Sequence, residues 1–98
     1  MVYVDDMQAR RGRFTLCHML ADSDAELNAM AARLGIDRRW HQYPGSPKSH
    51  YDISLEDRAR AIAMGAQPVG RRKVALLLKS RRQKVIGNRS ASNMTSGE

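Results

Sequence analysis

The chain is 98 residues long, which is one domain's worth of polypeptide, and its hydrophobic content of 42% is too high for a wholly disordered protein. Its single cysteine excludes an internal disulfide and is typical of a reducing cytoplasm. The apolar run at residues 74–78 is far shorter than the roughly 20 residues that cross a bilayer, and acidic residues at positions 5 and 6 argue against a signal peptide. We therefore expect a cytoplasmic protein without a membrane partner.

All of the net charge of +7 lies in the last third of the chain. Residues 1–66 contain nine basic and nine acidic residues, whereas residues 67–98 contain eight basic residues and a single acid, Glu98. This distribution predicts a neutral α/β body at 1–66, a basic amphipathic helix or arm at 67–86, and a disordered polar tail at 87–98. A cationic arm favours nucleic acid or an acidic protein surface as the partner.

The first two predicted strands lie close together in the sequence. The β-rich run Val2–Val4 is the first strand and residues 14–20 are the second. Residues 10–13 are expected to form a turn or loop, so that the two strands pair antiparallel. Alternation in the second strand places His18 and Cys17 on opposite faces, and we expect the Cys17 thiol to be buried.

Two helices are predicted from capping boxes. The first covers Asp24–Leu34, because Ser23 and Glu26 form the box and Gly35 provides a left-handed exit. The second begins after Ser54. Its expected apolar stripe consists of Leu55, Ala59, Ile62, Ala63 and Ala66.

The remaining elements complete a small sheet. Residues 38–42 are interpreted as a third strand, with Trp40 as a core anchor, and residues 50–53 as a fourth, separated by a Pro- and Gly-containing loop at 43–49. Residues 71–82 are predicted as a third, basic helix. Its apolar side is formed by Val74, Leu77 and Leu78. The fold class is therefore α/β (α+β), with about four short strands, two capped helices and a possible third helix.

Three histidines and several carboxylates cluster in the short segments rather than in the helices. The candidate metal ligands are Asp5, Asp6, His41, His50 and Asp52. Imidazole combined with carboxylate suits zinc, manganese or iron, and strand ends often meet at one edge of a sheet. The alternative, which we favour here, is a structural polar network with His18 as a hydrogen-bonded core histidine, because no compact metal-binding motif is present.

The basic segment is the candidate nucleic-acid interface. Its cations are Arg71, Arg72, Lys73, Lys79, Arg81, Arg82 and Lys84. Contacts of these side chains with phosphates would make binding sensitive to salt. The same pattern also fits a helix that packs its apolar stripe on the body and leaves the charges as solubilising surface.

Several strings in residues 2–66 resemble a known protein family. They are Val2-Tyr3-Val4-Asp5-Asp6-Met7, Cys17-His18-Met19-Leu20-Ala21-Asp22, Arg38-Arg39-Trp40-His41-Gln42 and Ser49-His50-Tyr51-Asp52-Ile53. Together they resemble a family of short bacterial and phage proteins described as domain of unknown function 4031. The resemblance implies bacterial or phage origin but no activity and no site residues.

Three functions follow as hypotheses. The first is a non-enzymatic binding protein, without cofactor, that engages nucleic acid or a nucleoprotein complex through the cationic arm. The second is a metal-assisted hydrolase, similar to a phosphodiesterase, that uses a divalent ion held by the His/Asp cluster. The third is a protein-interaction module that modulates a host enzyme through the loop at 43–49. The charge distribution favours the first.

Overall fold

The computed structural model of the chain describes residues 1–80, which form a mixed five-stranded sheet and three helices. The strands are β1 (Val2–Val4), β2 (Ala9–Arg11), β3 (Phe14–Ala21), β4 (Tyr51–Ser54) and β5 (Gln67–Pro68). The helices are α1 (Asp24–Leu34), α2 (Leu55–Ala63) and α3 (71–80), and a short 3₁₀ helix covers Arg38–Trp40. The α+β class predicted from the sequence is confirmed.

β3 is the central strand and pairs antiparallel with β1, β2 and β4. Its pairing with β1 confirms the prediction. Met19 of β3 pairs with Val4 on one side and with Tyr51 on the other, and β2 follows β1 along the side opposite β4. The chain leaves the sheet between β1 and β2, at residues 5–8. This break places Asp5 beside the middle of β3.

One face of the sheet packs against α1 and α2 to form the core. The buried residues that carry it include Val4, Cys17, Met19, Leu27, Met30, Tyr51, Ile53 and Ala61. Full burial of a Val, Leu, Ile or Met side chain is worth about 1.5–3 kcal/mol. The prediction that the Cys17 thiol is buried is confirmed.

The capping boxes form as predicted. Ser23 Oγ accepts a hydrogen bond from the Glu26 amide at 3.2 Å, and Gly35 ends α1 with a φ of 77°.

The predicted apolar stripe of the second helix is correct only in part. Ile62 packs against the core and Ala66 is buried just after α2, as predicted. Leu55, Ala59 and Ala63 are exposed, however, and Ala61 is buried instead. These three positions were wrong because α2 follows β4 without a connecting loop, so the strand pairing sets which side of the helix meets the sheet.

The predicted loop at residues 10–13 is partly a strand. β2 pairs with the start of β3, and only Gly12 and Arg13 form the turn between them. Alternation of apolar and polar residues could not indicate this strand, because two of its three residues are arginines at an edge of the sheet.

The predicted third strand at residues 38–42 is also wrong. The 3₁₀ helix occupies most of it, because the Asp37 side chain accepts a hydrogen bond from the Arg39 amide at 2.9 Å and caps a tight turn. Trp40 is 59% exposed and lies under the Arg39 guanidinium, so it does not anchor the core. The largest fully buried side chain among the described residues is that of Tyr51.

The sheet continues beyond residue 66. β5 adds to β1 in parallel, with Gln67 opposite Tyr3, and α3 follows it. The predicted apolar side of α3, formed by Val74, Leu77 and Leu78, is half-buried.

No helix among residues 1–80 is long and apolar enough to span a bilayer. Outside the described residues lie the predicted tail at 87–98 and the predicted interface residues Arg81, Arg82 and Lys84.

Candidate metal centre

Two histidines and an aspartate converge on the sheet face opposite the α1/α2 core. His18 of β3 pairs directly with Asp52 of β4, so their side chains are neighbours on one face. His50 precedes Asp52 by two residues and projects from the same face. One ligand atom from each of the three lies within 4.8 Å of the other two. The Asp52 Oδ1 atom is 3.6 Å from His18 Nε2 and 3.5 Å from His50 Nε2.

The atoms of these side chains that point away from the centre are each held by a neighbour. His18 Nδ1 lies 2.9 Å from Asp5 Oδ2, and His50 Nδ1 lies 2.6 Å from the Lys48 carbonyl oxygen. Gln42 Nε2 donates to Asp52 Oδ2 at 2.8 Å. Because a carboxylate and a carbonyl only accept, each Nδ1 donates, and in a neutral ring the Nε2 lone pair faces the centre. Oriented ligands of this kind are the usual outer-shell arrangement of protein metal sites.

The spacing of Asp52 from the two histidines suits one shared ion. Zinc ligands lie about 2.0–2.1 Å from the metal, so two ligand atoms of a tetrahedral site are about 3.3 Å apart. The two distances from Asp52 Oδ1, 3.5 and 3.6 Å, are close to this value. Three protein ligands leave a fourth position for water or substrate, as in catalytic zinc sites.

Asp5 positions His18 and sets its charge. Asp5 is buried, and its Oδ1 accepts from the His18 amide at 2.7 Å and from the Met7 amide at 3.3 Å. Burial by itself raises the pKa of Asp5, but the hydrogen bonds from the ring and amide of His18 and from Met7 lower it below its ordinary value. The hydrogen bond to Asp5 raises the pKa of His18 against the effect of burial, with a further contribution from the charge of Asp52. An ion at His18 Nε2 therefore competes with a proton.

The candidate ligands taken from the sequence separate into three positions. His50 and Asp52 are together in the centre, and Asp5 reaches it through His18. Asp6 is exposed on the segment that leaves the sheet. His41 lies in a different network. His18 was not among the predicted ligands. Its position near the end of the second predicted strand was the available signal, but that position does not reveal its pairing with Asp52.

His41 belongs to a network that fastens the loop at residues 43–49 to α1. Its Nε2 lies 2.6 Å from Ser49 Oγ, which donates to Asp24 Oδ1 at 2.6 Å. Its ring stacks on Tyr51 with centroids 5.0 Å apart. Although serine, histidine and aspartate meet here, Ser49 is 1% exposed and its hydroxyl donates to the carboxylate, so it is not arranged as a nucleophile.

The metal-ligand face opens into a cleft of about 280 Å³ between the loop and α3. His18 and His50 line one wall, and Tyr43 and Lys48 contribute from the loop. α3 contributes Arg71, Val74 and Leu78. In this cleft the metal-ligand face is thus bordered by the basic side chains of Lys48 and Arg71 and by an apolar surface.

The comparisons with known proteins identify a family. The family model described as "Protein of unknown function (DUF4031)" matches residues 2–81, which extends past residue 66 and includes every residue that lines the cleft. No curated protein and no solved structure matches the chain. The chain therefore belongs to the DUF4031 family.

Proposed function

We propose that the protein is a metal-dependent hydrolase of phosphate esters, with one divalent transition-metal ion held by His18, His50 and Asp52. The observation that carries the proposal is the convergence of these three ligands with their outer atoms fixed by Asp5, the Lys48 carbonyl and Gln42. These hydrogen bonds orient each ligand side chain before an ion binds, which reduces the conformational entropy lost on binding.

The donor set favours a particular class of ion. Two imidazoles and one carboxylate suit zinc, manganese or iron, whereas magnesium and calcium take oxygen ligands. A zinc ion held by these three residues would lower the pKa of a bound water to about 7 and would polarise an oxygen of the substrate. Both effects serve hydrolysis.

The cleft favours an anionic substrate. Lys48 and Arg71 line it together with the two histidine ligands, so a phosphoryl group placed against the ion would also meet one or both cations. Phosphoryl transfer depends mainly on such positioning and charge stabilisation. A neutral amide would gain little from these side chains, which is why we favour a phosphate ester over a peptide.

A hydrolase of phosphate esters and the non-enzymatic binding protein that the charge distribution favours would both bind a phosphate-bearing ligand beside α3. They differ in whether that ligand is cleaved, and the His/Asp centre is the reason to put hydrolysis first.

Hydrolysis of bis(4-nitrophenyl) phosphate by the untagged full chain tests the proposal. We expect turnover with Zn²⁺ or Mn²⁺ and none in EDTA. Asp52→Asn should lose more activity than the 10- to 100-fold that outer-shell changes typically cost. The matched control Asp6→Asn removes an exposed carboxylate outside the centre and should retain activity. Equal rates for Asp52→Asn and wild type, or turnover that persists in EDTA, would contradict the proposal.

A further inference from the structure

We infer that the ligand of the cleft is a single strand of nucleic acid, which lies along α3 with one base stacked on Tyr43. Naming this strand as the substrate rests on the proposed function, whereas the strand-binding groove itself does not require an ion. Three observations support it: the cleft continues into a longer groove, cations are spaced along that groove, and the Tyr43 ring is exposed at its edge.

The cleft continues into a second hollow. This hollow, of about 310 Å³, is lined by Pro47 and Lys48 from the loop and by Ala75, Leu78 and Lys79 from α3. Lys48 and Leu78 line both hollows, so together they form one groove between the loop and α3, called the α3 groove below. A groove of this length has more room than one phosphate ester needs.

Cations are distributed along the α3 groove. Arg71 lines one hollow and Lys79 lines the other, eight residues apart on the same helix, which is about 12 Å along its axis. Successive phosphates of a strand could contact these two side chains in turn. Lys48, from the loop, lines both hollows. Residues 71–80 contain four basic residues and no acid, so nothing in this stretch repels a polyanion.

Tyr43 presents an aromatic ring at the edge of the groove. Its side chain is 59% exposed, and its ring lies 6.1 Å from the His50 ring at 30°. Its backbone has a φ of 52°, a left-handed conformation that is unfavourable for tyrosine. The amide and hydroxyl of Ser46 both donate to its carbonyl oxygen, at 3.1 and 2.8 Å. A strained residue held in this way indicates a functional position.

These features fit a single strand better than a duplex. Stacking of bases on aromatic side chains beside a cationic track is how proteins bind single strands without sequence preference. The apolar side chains of Leu20, Val74 and Leu78 in the groove offer further contacts to base faces. In a duplex the base faces are already stacked on each other, so only its phosphates would be available.

Binding of a fluorescein-labelled 12-nucleotide single strand, measured by anisotropy with the full chain in EDTA, tests the inference. Tyr43→Ala should weaken binding about 5- to 150-fold, which corresponds to the loss of one stacked base. Trp40→Ala is the matched control, because Trp40 is an aromatic residue with the same 59% exposure outside the groove, and it should change binding less than twofold. Tyr43→Phe keeps the ring and should bind like wild type.

The salt dependence gives a second readout. Replacing Lys48 and Arg71 with alanine should reduce the slope of log K against log salt by about 1.4, since each phosphate contact on a single strand contributes about 0.7. The control pair Arg13→Ala and Arg33→Ala removes two exposed cations outside the groove and should leave the slope unchanged. Adenosine monophosphate should bind at least tenfold more weakly than the strand.

Several results would overturn the inference. Equal losses of affinity in Tyr43→Ala and Trp40→Ala would show that Tyr43 is not a stacking site. Equal affinity for the single strand and for a 12-base-pair duplex would show that the groove does not prefer a single strand. Mononucleotide affinity equal to that of the strand would assign the groove to free nucleotides. No binding at low salt would leave an acidic protein as the partner of α3.

The measurement in EDTA separates this inference from the proposed function. Strand binding with the expected variant pattern, but without metal-dependent cleavage, refutes the hydrolase and leaves a binding groove. Metal-dependent hydrolysis of the model diester without strand binding refutes only the inference about the strand.

Discussion

Replacement of Asp52 by asparagine separates a metal ligand from a member of a structural network. The amide oxygen of an asparagine can still accept from Gln42 Nε2, now 2.8 Å from the carboxylate. Its N–H group can point toward His50 Nε2 at 3.5 Å, whereas it cannot donate to the protonated Nε2 of His18 at 3.6 Å. The metal-free variant therefore loses mainly the attraction of a half-buried carboxylate for protonated His18. We expect a cost of about 1 kcal/mol or less in EDTA.

The effect of metal should be much larger. An ion at 100 times its dissociation constant stabilises the native state by about 2.7 kcal/mol. In a domain of 60–100 residues each kcal/mol shifts the melting temperature by about 4–8 °C, so wild type should rise by about 11–22 °C. Asp52→Asn should show little of this rise, because it replaces an anionic ligand by a neutral amide.

The assay is thermal unfolding followed by circular dichroism, first in EDTA and then with Zn²⁺ or Mn²⁺ in excess. Asp6→Asn, which changes an exposed carboxylate, should behave as wild type does. An equal metal-induced rise in melting temperature for Asp52→Asn and wild type would refute the role of Asp52 as a ligand. No rise in wild type would refute the metal centre itself.

Three further predictions concern the described residues. In EDTA, the pair of His18 and Asp5 should stabilise the native state most between about pH 4 and 6.5. The raised pKa of His18 gives stability that is complete below pH 6.5 and is lost as the pH rises through the folded pKa. The lowered pKa of Asp5 gives stability that is present above pH 3.8 and is lost as the pH falls through the folded pKa. Urea unfolding from pH 3 to 9 checks this; a flat profile would contradict it. Ser49→Ala should cost about 1–3 kcal/mol in urea, with or without metal, because it removes the buried hydroxyl between His41 and Asp24, and a metal-dependent loss would show that this network serves the ion. Truncation after residue 70 keeps β5 but removes α3, so cooperative melting should persist while single-strand binding falls at least tenfold; retained binding would place the strand elsewhere.

Local sequence signals predicted the helices and the first strand pair well. The Ser23 box, the glycine that ends α1 and the spacing of apolar residues act within a few positions, so they are visible in the sequence. The exposed Trp40 and the 3₁₀ helix were missed for a different reason. Residue type suggested a core position for the tryptophan, but a local cap at Asp37 determined the backbone there.

The candidate site was only half visible because it depends on register. His50 and Asp52 are two residues apart, and their shared direction follows from the period of a strand. The third ligand, His18, lies on another strand, and its pairing with Asp52 is fixed by β3–β4 contacts between residues that are 32 to 38 apart in sequence. The end of β1 before Asp5 was visible in the sequence, but the hydrogen bonds of Asp5 with His18 depend on the register between β1 and β3 and were not.

The metal content of the full chain, purified without a histidine tag and reconstituted with Zn²⁺ or Mn²⁺, can be measured by elemental analysis. We expect about one tightly bound ion per chain in wild type and in Asp6→Asn, with most of it lost in Asp52→Asn. Wild-type protein that retains no ion after removal of excess metal, or equal metal content in Asp52→Asn and wild type, would contradict the metal centre at His18, His50 and Asp52.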